Sequence, residues 1–282
     1  MVRELDVSEV REAVSRLFQE ACYSLPDDVV RALTEARDRE VSPVARDVLE
    51  RLLENAAMAP REMIPVCQDT GLAVVFIEVG QDVHFAGGDL REAVDDGVRE
   101  AYRDGYLRKS VVRCPYTSRV NTGDNTPADV WMDIVPGDKV KISVLPKGGG
   151  SENLARLTVL TPAMGRQGVI DFVAGVVDAG GANPCPPLVV GVGIGGTSEK
   201  AMMLAKKSLL RPVGQPSPDE EDAALERDLL HRVNDLGVGA LGYGGTVTAL
   251  AVHVESFPCH IASLPVAVNL QCHSARRGHV EL

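Results

Sequence analysis

Aromatic residues make up 4% of the 282-residue chain, and there is a single tryptophan. So few rings exclude a surface that reads single-stranded nucleic acid by stacking its bases. Positive charge is scarce as well. Twenty-nine Lys and Arg stand against 40 Asp and Glu, a net charge of −11. That balance excludes an extended basic face for a polyanion, but not a small dianion held by a few local arginines. No apolar stretch is long enough to span a membrane. The N-terminal Met1-Val2-Arg3-Glu4-Leu5 runs straight into a charged amphipathic pattern with no signal-type apolar block, so a cytoplasmic location is expected. None of the six cysteines forms a CxxC pair, which excludes a zinc ribbon and a thioredoxin motif. In a reducing compartment they should not form structural disulfides. Internal repeats and low-complexity segments are also lacking.

What is present reads as a mixed α/β body with an N-terminal helical part, residues 1–60, followed by one continuous α/β unit, 61–282. Asp6 and Glu9 form a capping box, and Val10, Val14, Leu17, Phe18 and Ala21 follow at helical spacing. A second helix starts near Pro26-Asp27-Asp28. A third opens with Ser42 as cap and Pro43 at its first position, with Val44, Val48, Leu49, Leu52 and Ala56 facing inward. Residues 72–79 read as a buried strand and 88–106 as a helix. Residues 130–135 and 140–145 read as a hairpin around Pro136-Gly137-Asp138. Helices are expected over 167–179, 199–210 and 219–234. Further strands are expected from Leu188, over 247–254, and over 261–270 with an irregularity at Pro265.

The organising stretch is Cys67-Gln68-Asp69-Thr70-Gly71, between Pro65 and the apolar run that begins at Leu72. Pro65 and Gly71 imply a fixed, non-helical loop at the edge of a core, where chemistry tends to sit. Lys147-Gly148-Gly149-Gly150-Ser151-Glu152-Asn153 frees the backbone to approach a ligand. Gly191-Val192-Gly193-Ile194-Gly195-Gly196 matches GxGxxG and raises a dinucleotide-binding oxidoreductase as an alternative. That fingerprint wants an acidic residue closing a second strand about twenty positions on. Here that region is the Pro-rich loop Arg211–Pro218, so a tight strand–helix turn is the better reading. A non-catalytic scaffold with inert cysteines is the third class.

Cys67, Cys185 in Pro184-Cys185-Pro186, and Cys272 in Gln271-Cys272-His273-Ser274 share one setting: a loop beside an apolar strand. Cys22 falls on a helix face. Cys114 and Cys259 sit beside prolines and look less exposed to chemistry. Three separated thiolates suit an iron–sulfur cluster with one iron lacking a protein ligand, although scattered cysteines alone are weak evidence.

Together, Cys67–Gly71, the stretch from Val120-Asn121-Thr122 to Ala128, Lys147–Asn153, Cys185-Pro186-Pro187, Gly195–Ser198 and the Cys272 terminus resemble the class I fumarate hydratases. The likeness is greatest to the separate α subunit of two-subunit fumarases and L(+)-tartrate dehydratases, and runs from about Pro60 onward. The resemblance implies a 4Fe–4S hydro-lyase acting on a dicarboxylic 2-hydroxy acid, with Cys67, Cys185 and Cys272 as cluster ligands. It implies substrate contacts from Gln68, Arg108 and the Gly150 backbone, with Asp69 as general acid backed by His260. Single-chain members carry a further region of about two hundred residues, absent here. The resemblance therefore implies a β subunit that completes the site, the αβ pair doubling into a heterotetramer. Arg276 and Arg277 are expected to be solvated or interfacial.

Overall fold

The structure, a computed structural model, describes residues 2–282. Strand β1 (Arg3–Asp6) leads into helix α1 (Val7–Tyr23), whose cap is Asp6: Oδ1 accepts from Ser8 N at 2.8 Å. The five apolar positions read as its inner face are all buried. Helix α2 (Asp27–Arg39) places Asp27 and Asp28 in its first turn and Arg37 and Arg39 in its last, complementing its dipole. Helix α3 (Pro43–Glu62) begins at the expected proline, but its buried residues include Ala45, Leu49, Ala56 and Ala59. Val44, expected inward, is 56% exposed, because it lies about 100° round the helix from the stripe that Ala45 and Leu49 start.

Strands β2 (Leu72–Gly80) and β3 (Val83–Ala86) precede helix α4 (Leu90–Asp104), capped by Asp89. Then come β4 (Asp129–Val135), β5 (Val140–Lys147), the one-turn α5 (Gly149–Glu152), β6 (Arg156–Leu160) and α6 (Gly165–Gly180). The chain continues through β7 (Leu188–Gly195), α7 (Ser198–Ser208), α8 (Glu220–Asn234), β8 (Ala249–Phe257), β9 (Leu264–Gln271) and β10 (Gly278–Glu281). Strands β1, β3, β6 and β10 are four or five residues long, too short to carry a pattern of their own.

Two compact units result, and the N-terminal helices are shared between them. The first takes residues 2–26, Met58–Gly149 and Arg276–Leu282. Its sheet runs β10-β5-β2-β4. The expected hairpin of β4 and β5 does not form. Strand β2 lies between them, parallel to β4 and antiparallel to β5. The reason is hydrophobic: Ala73 to Ile77 are five successive buried residues, which suits a central strand covered on both faces. By contrast β4, at the sheet edge, exposes Trp131, Met132 and Ile134. Val10, Val14 and Phe18 of α1 and Val94, Val98 and Tyr102 of α4 form one core with Val75, Ile77, Ile142 and Val144.

The second unit takes Asp27–Ala57 and Gly150–Ala275, around a sheet ordered β6-β9-β7-β8. Valines and leucines of α6 and α8 cover one face. On the other, Ala201 and Ala205 of α7 pack with Ala267. Pro265 is accommodated because the β9–β7 pairing stops at Val266, so Pro265 faces only β6. Within this unit Glu40, fully buried, ties the α2–α3 joint to the segment before β8. Its Oε1 accepts from Val41 N and Ser42 N, and its Oε2 from Thr246 N and Val247 N. Burial works against ionisation there, yet these donors hold the carboxyl below its ordinary range.

The glycine series explains itself in this unit. Gly191, Gly193 and Gly195 lie inside β7 rather than in a turn after it. A Cβ on Gly191 would stand 2.1 Å from Ala205 O, and one on Gly193 2.0 Å from Ala201 O. The pattern serves direct contact between the α7 backbone and the strand, not a pyrophosphate. Gly193→Ala should lower stability by about 3 kcal/mol or more, at the upper end of overpacking costs. Urea unfolding checks this, and an unchanged midpoint would contradict the close packing.

Candidate active site

In the first unit, the loop ahead of β2 is held from several directions. Val66 N donates to Cys22 O at 2.9 Å. The buried Tyr102 hydroxyl lies 2.9 Å from Thr70 O and 3.0 Å from Gly71 O. Asn125, fully buried, donates from Nδ2 to Gly71 O and accepts from Ser110 N at Oδ1 (2.7 Å). Thr70 Oγ1 donates to Arg108 O at 3.0 Å. Gly71 has φ +82° and its would-be Cβ lies 2.7 Å from the Lys147 backbone, so only glycine fits where β2 starts beside β5.

Asp69 gains a fixed carboxylate from this scaffold. Oδ1 accepts from Gly71 N (3.0 Å) and Oδ2 from Gly149 N (2.7 Å), the first residue of α5. Each oxygen keeps a further lone pair for a proton or a substrate group. Cys67 Sγ lies 3.4 Å from Gln68 Oε1. Gln68 and Arg108 are exposed, Cys67 and Asp69 half-buried. The structure therefore brings Cys67, Gln68, Asp69 and the Arg108 backbone together.

In the second unit, Cys185 precedes β7 and Cys272 follows β9. Because these strands are antiparallel neighbours with Val189 opposite Gln271, both cysteines stand at the same end of the sheet. His273 N donates to Cys185 O at 3.1 Å. Cys185 is exposed with φ +57°, and Cys272 is half-buried. Gly150 is exposed, and a Cβ on it would meet Asn183 O at 3.1 Å. Beside Cys272, Gln271 is 1% exposed, and neither amide atom has a hydrogen-bond partner among the described residues.

His260 is not brought to this end. It sits in the exposed turn between β8 and β9, with Nδ1 accepting from Ala262 N. An eight-residue strand at about 3.3 Å per residue puts that turn about 25 Å from Cys185 and Cys272.

The remaining cysteines divide differently from expectation. Burial pushes the Cys22 thiol up to about 11, which keeps it protonated and unreactive. Cys114 and Cys259, expected to be less accessible, are exposed. The proline beside each bends a surface loop rather than burying it. Among the described residues, no three His, Cys, Asp or Glu side chains surround a position for a single metal ion. No helix there is long and apolar enough to cross a membrane.

The buried supports of the Cys67 loop were not visible in the sequence. Tyr102 reads as one more helical core position, and only the Asn, Gly and Asp content of 121–125 hints that Asn125 serves a tight loop. Arg276, expected at a solvated or interfacial position, is 1% exposed. Two positions on, at Gly278, the chain enters β10, which draws Arg276 toward the first unit's sheet.

The family model described as Fumarate hydratase (Fumerase) matches residues 11–281. The chain belongs to the fumarate hydratase family. Among curated relatives, the putative L(+)-tartrate dehydratase subunit alpha of Methanocaldococcus jannaschii is 40% identical over 275 residues, 96% of either chain. The L(+)-tartrate dehydratase subunit alpha of Escherichia coli strain UTI89 is 36% identical over 276 residues, 96% of this chain and 90% of its own. The K12 counterpart is 35% identical over the same span. The fumarate hydratase match runs through both units and every loop described above.

Two outcomes follow for the loop scaffold. Tyr102→Phe removes the hydroxyl from two buried carbonyls and should cost about 1–3 kcal/mol, read by denaturant unfolding together with faster amide exchange at residues 66–71. Asp124, whose neighbours Thr126 N and Arg99 outweigh the cost of burial, is held at about 2, below 3.8. Its contribution is therefore complete above pH 3.8 and disappears as pH falls through about 2. Asp124→Asn should lower the melting temperature at pH 7, and the difference from wild type should shrink on acidification through that window. A constant gap would mean that ionised Asp124 does not stabilise the loop.

Proposed function

We propose that this chain is the α subunit of a two-subunit iron–sulfur hydro-lyase that dehydrates a dicarboxylic 2-hydroxy acid of the malate or tartrate type. The observation that carries the reading is Asp69, its carboxylate fixed by two backbone N–H groups and two residues from Cys67. Membership of the fumarate hydratase family and the names of the tartrate dehydratase relatives support it.

A 4Fe–4S cluster suits the donor set. Cys67, Cys185 and Cys272 each lie at a strand end with some exposure, while the shielded Cys22 would be a poor ligand. The orphaned Gln271 amide beside Cys272 also leaves a polar group ready for something besides protein. When bound, such a cluster supplies a Lewis-acidic iron that makes the substrate hydroxyl a better leaving group. Asp69 delivers the proton that the departing hydroxide needs. Arg108 and Gln68, exposed beside it, hold a carboxylate through charge-assisted and neutral hydrogen bonds. The Gly150 backbone adds a contact where a side chain would crowd Asn183 O. His260, at the other end of its own sheet from Cys185 and Cys272, is the residue that the family resemblance assigns to back Asp69.

A diacid needs a second cation for its other carboxylate and a base for the carbon-bound proton. We assign both to a separate β subunit, the αβ pair doubling to a heterotetramer. An oxidoreductase on Gly191–Gly196 is the weaker reading, since Gly191 and Gly193 seat the α7 backbone.

Anaerobic reconstitution with iron and sulfide should give a brown protein with broad visible absorbance. Cys67→Ser, Cys185→Ser and Cys272→Ser should each lose iron, because a hydroxyl is a poor ligand for soft iron sites. Cys22→Ala, Cys114→Ala and Cys259→Ala should keep it, and loss of iron in Cys114→Ala would overturn the ligand set. The αβ complex, assayed with a panel of 2-hydroxy diacids, should dehydrate at least one. Substantial turnover by the cluster-loaded chain alone would refute the split site.

A further inference from the structure

Among the described residues, Arg276 heads the large side chains that are fully buried. A guanidinium stays charged at any working pH, so burying one is costly unless hydrogen bonds and an anion answer it. Its position follows from the first unit's sheet. Gly278 opposes Val144 at the start of the β10–β5 ladder. Continuing that register two residues back carries Arg276 alongside Pro146. On the other flank of β5, Pro146 opposes Ala73 and Lys147 opposes Leu72, the first residues of β2. The end of β5 is thus bordered by Arg276 on one side and by the Cys67–Gly71 loop on the other.

The side-chain surroundings agree. A Cβ built on Gly148 would stand 3.4 Å from Asp69 Oδ2 and 3.7 Å from Arg276 Nη2. The carboxylate and the guanidinium therefore flank one point of the backbone, one residue before the N–H that Asp69 accepts. The Arg276 charge also lies close enough to the Cys22 thiol to work against the upward push of its burial. That thiol is pushed up to about 11 and the Tyr102 phenol is likewise raised by burial, so neither supplies negative charge at neutral pH. Asp69 is a carboxylate that approaches the same backbone position as the guanidinium.

We propose that Arg276 is a positioning residue for the dehydration: its buried charge holds the Asp69 carboxylate on the Gly71 and Gly149 amides, so that Asp69 meets the substrate in one orientation. This inference rests on the reading of Asp69 as the general acid, and it adds a residue that the sequence places at a solvated terminus. Arg276 acts through Asp69 and not on the substrate. Without the cation, the carboxyl is free to rotate off its amides, and misplacement of an acid by about 1 Å costs on the order of a hundredfold in rate.

The test uses the cluster-loaded αβ complex and the variants Arg276→Gln, Arg276→Lys and Asp69→Asn. Arg276→Gln should lower kcat about a hundredfold with KM within a few-fold of wild type and with iron content and cluster spectrum unchanged. Arg276→Lys, which keeps the charge, should recover part of the loss and serves if the Gln variant fails to fold. In the Asp69→Asn background, Arg276→Gln should cost little further activity, since the two act as one unit. Hydrogen exchange at the Gly71 and Gly149 amides should rise in Arg276→Gln and stay near wild type in Arg276→Lys. Additive losses in the double variant, or unchanged exchange at those two amides, would overturn the inference. If the wild-type complex dehydrates no diacid, the functional reading fails by itself, and the exchange measurement still decides whether Arg276 holds Asp69.

Discussion

Direct contact between the α7 backbone and strand β7 is the constraint on which the second unit depends. With Gly191 and Gly193 lacking side chains, carbonyls of Ala201 and Ala205 reach positions where a Cβ would otherwise stand. Small residues on α7 and Ala267 on β9 complete a layer too thin for the bulky aliphatics that fill the other face. Polar residues on this thin side pair with one another: Lys206 with Glu152 at 2.8 Å, Glu152 with Asn269, and His253 with Ser208 O. Such side-chain contacts help to fix one arrangement of the elements around them. Glu152 belongs to the same glycine-rich segment as Gly150, so the network also anchors the residue assigned to the substrate's edge.

The first unit meets a different demand. Its Cys67–Gly71 loop is fixed without regular structure, so each turn of backbone is answered individually. Tyr102 and Asn125 reach it from α4 and from the 121–128 loop, and Cys22 O receives Val66 N. Orphaned buried backbone groups cost more than most hydrogen bonds contribute. The support of this loop is therefore spread over α1, α4 and the 121–128 loop. Asp69 then needs no rotational search, because its two amide contacts set the plane of the carboxyl before anything binds.

Most regular elements were legible where pattern or capping chemistry was strong. Asp6, Asp89, Thr197 and Asp219 each cap a helix that the sequence predicts. The loop of Cys67 and Asp69 was legible because Pro65, Gly71 and four consecutive polar groups interrupt two apolar runs. Strand order was not. A short Pro-Gly-Asp turn suggests neighbours in a hairpin, whereas the burial preference of β2 separates β4 from β5. Arg276 was misjudged for a related reason. Proximity to the end of the chain says nothing about burial, and the partner strand that encloses it lies more than a hundred residues earlier. The opposite placements of His260 and Cys272 are likewise invisible in a twelve-residue spacing until β9 is seen to run straight between them.

Strand β10 closes a sheet whose other members were made long before it. During synthesis, β2, β4 and β5 emerge first, and β5 keeps an open edge while residues 150–275 of the second unit are being translated. Domains that are contiguous in sequence fold as they leave the ribosome, but this one must wait for residues 276–281. Any pause or truncation in that last stretch strands a half-built sheet with exposed hydrogen-bonding groups, a state that favours aggregation. Quality control of the nascent chain thus tests the same residues that carry Arg276 to Asp69.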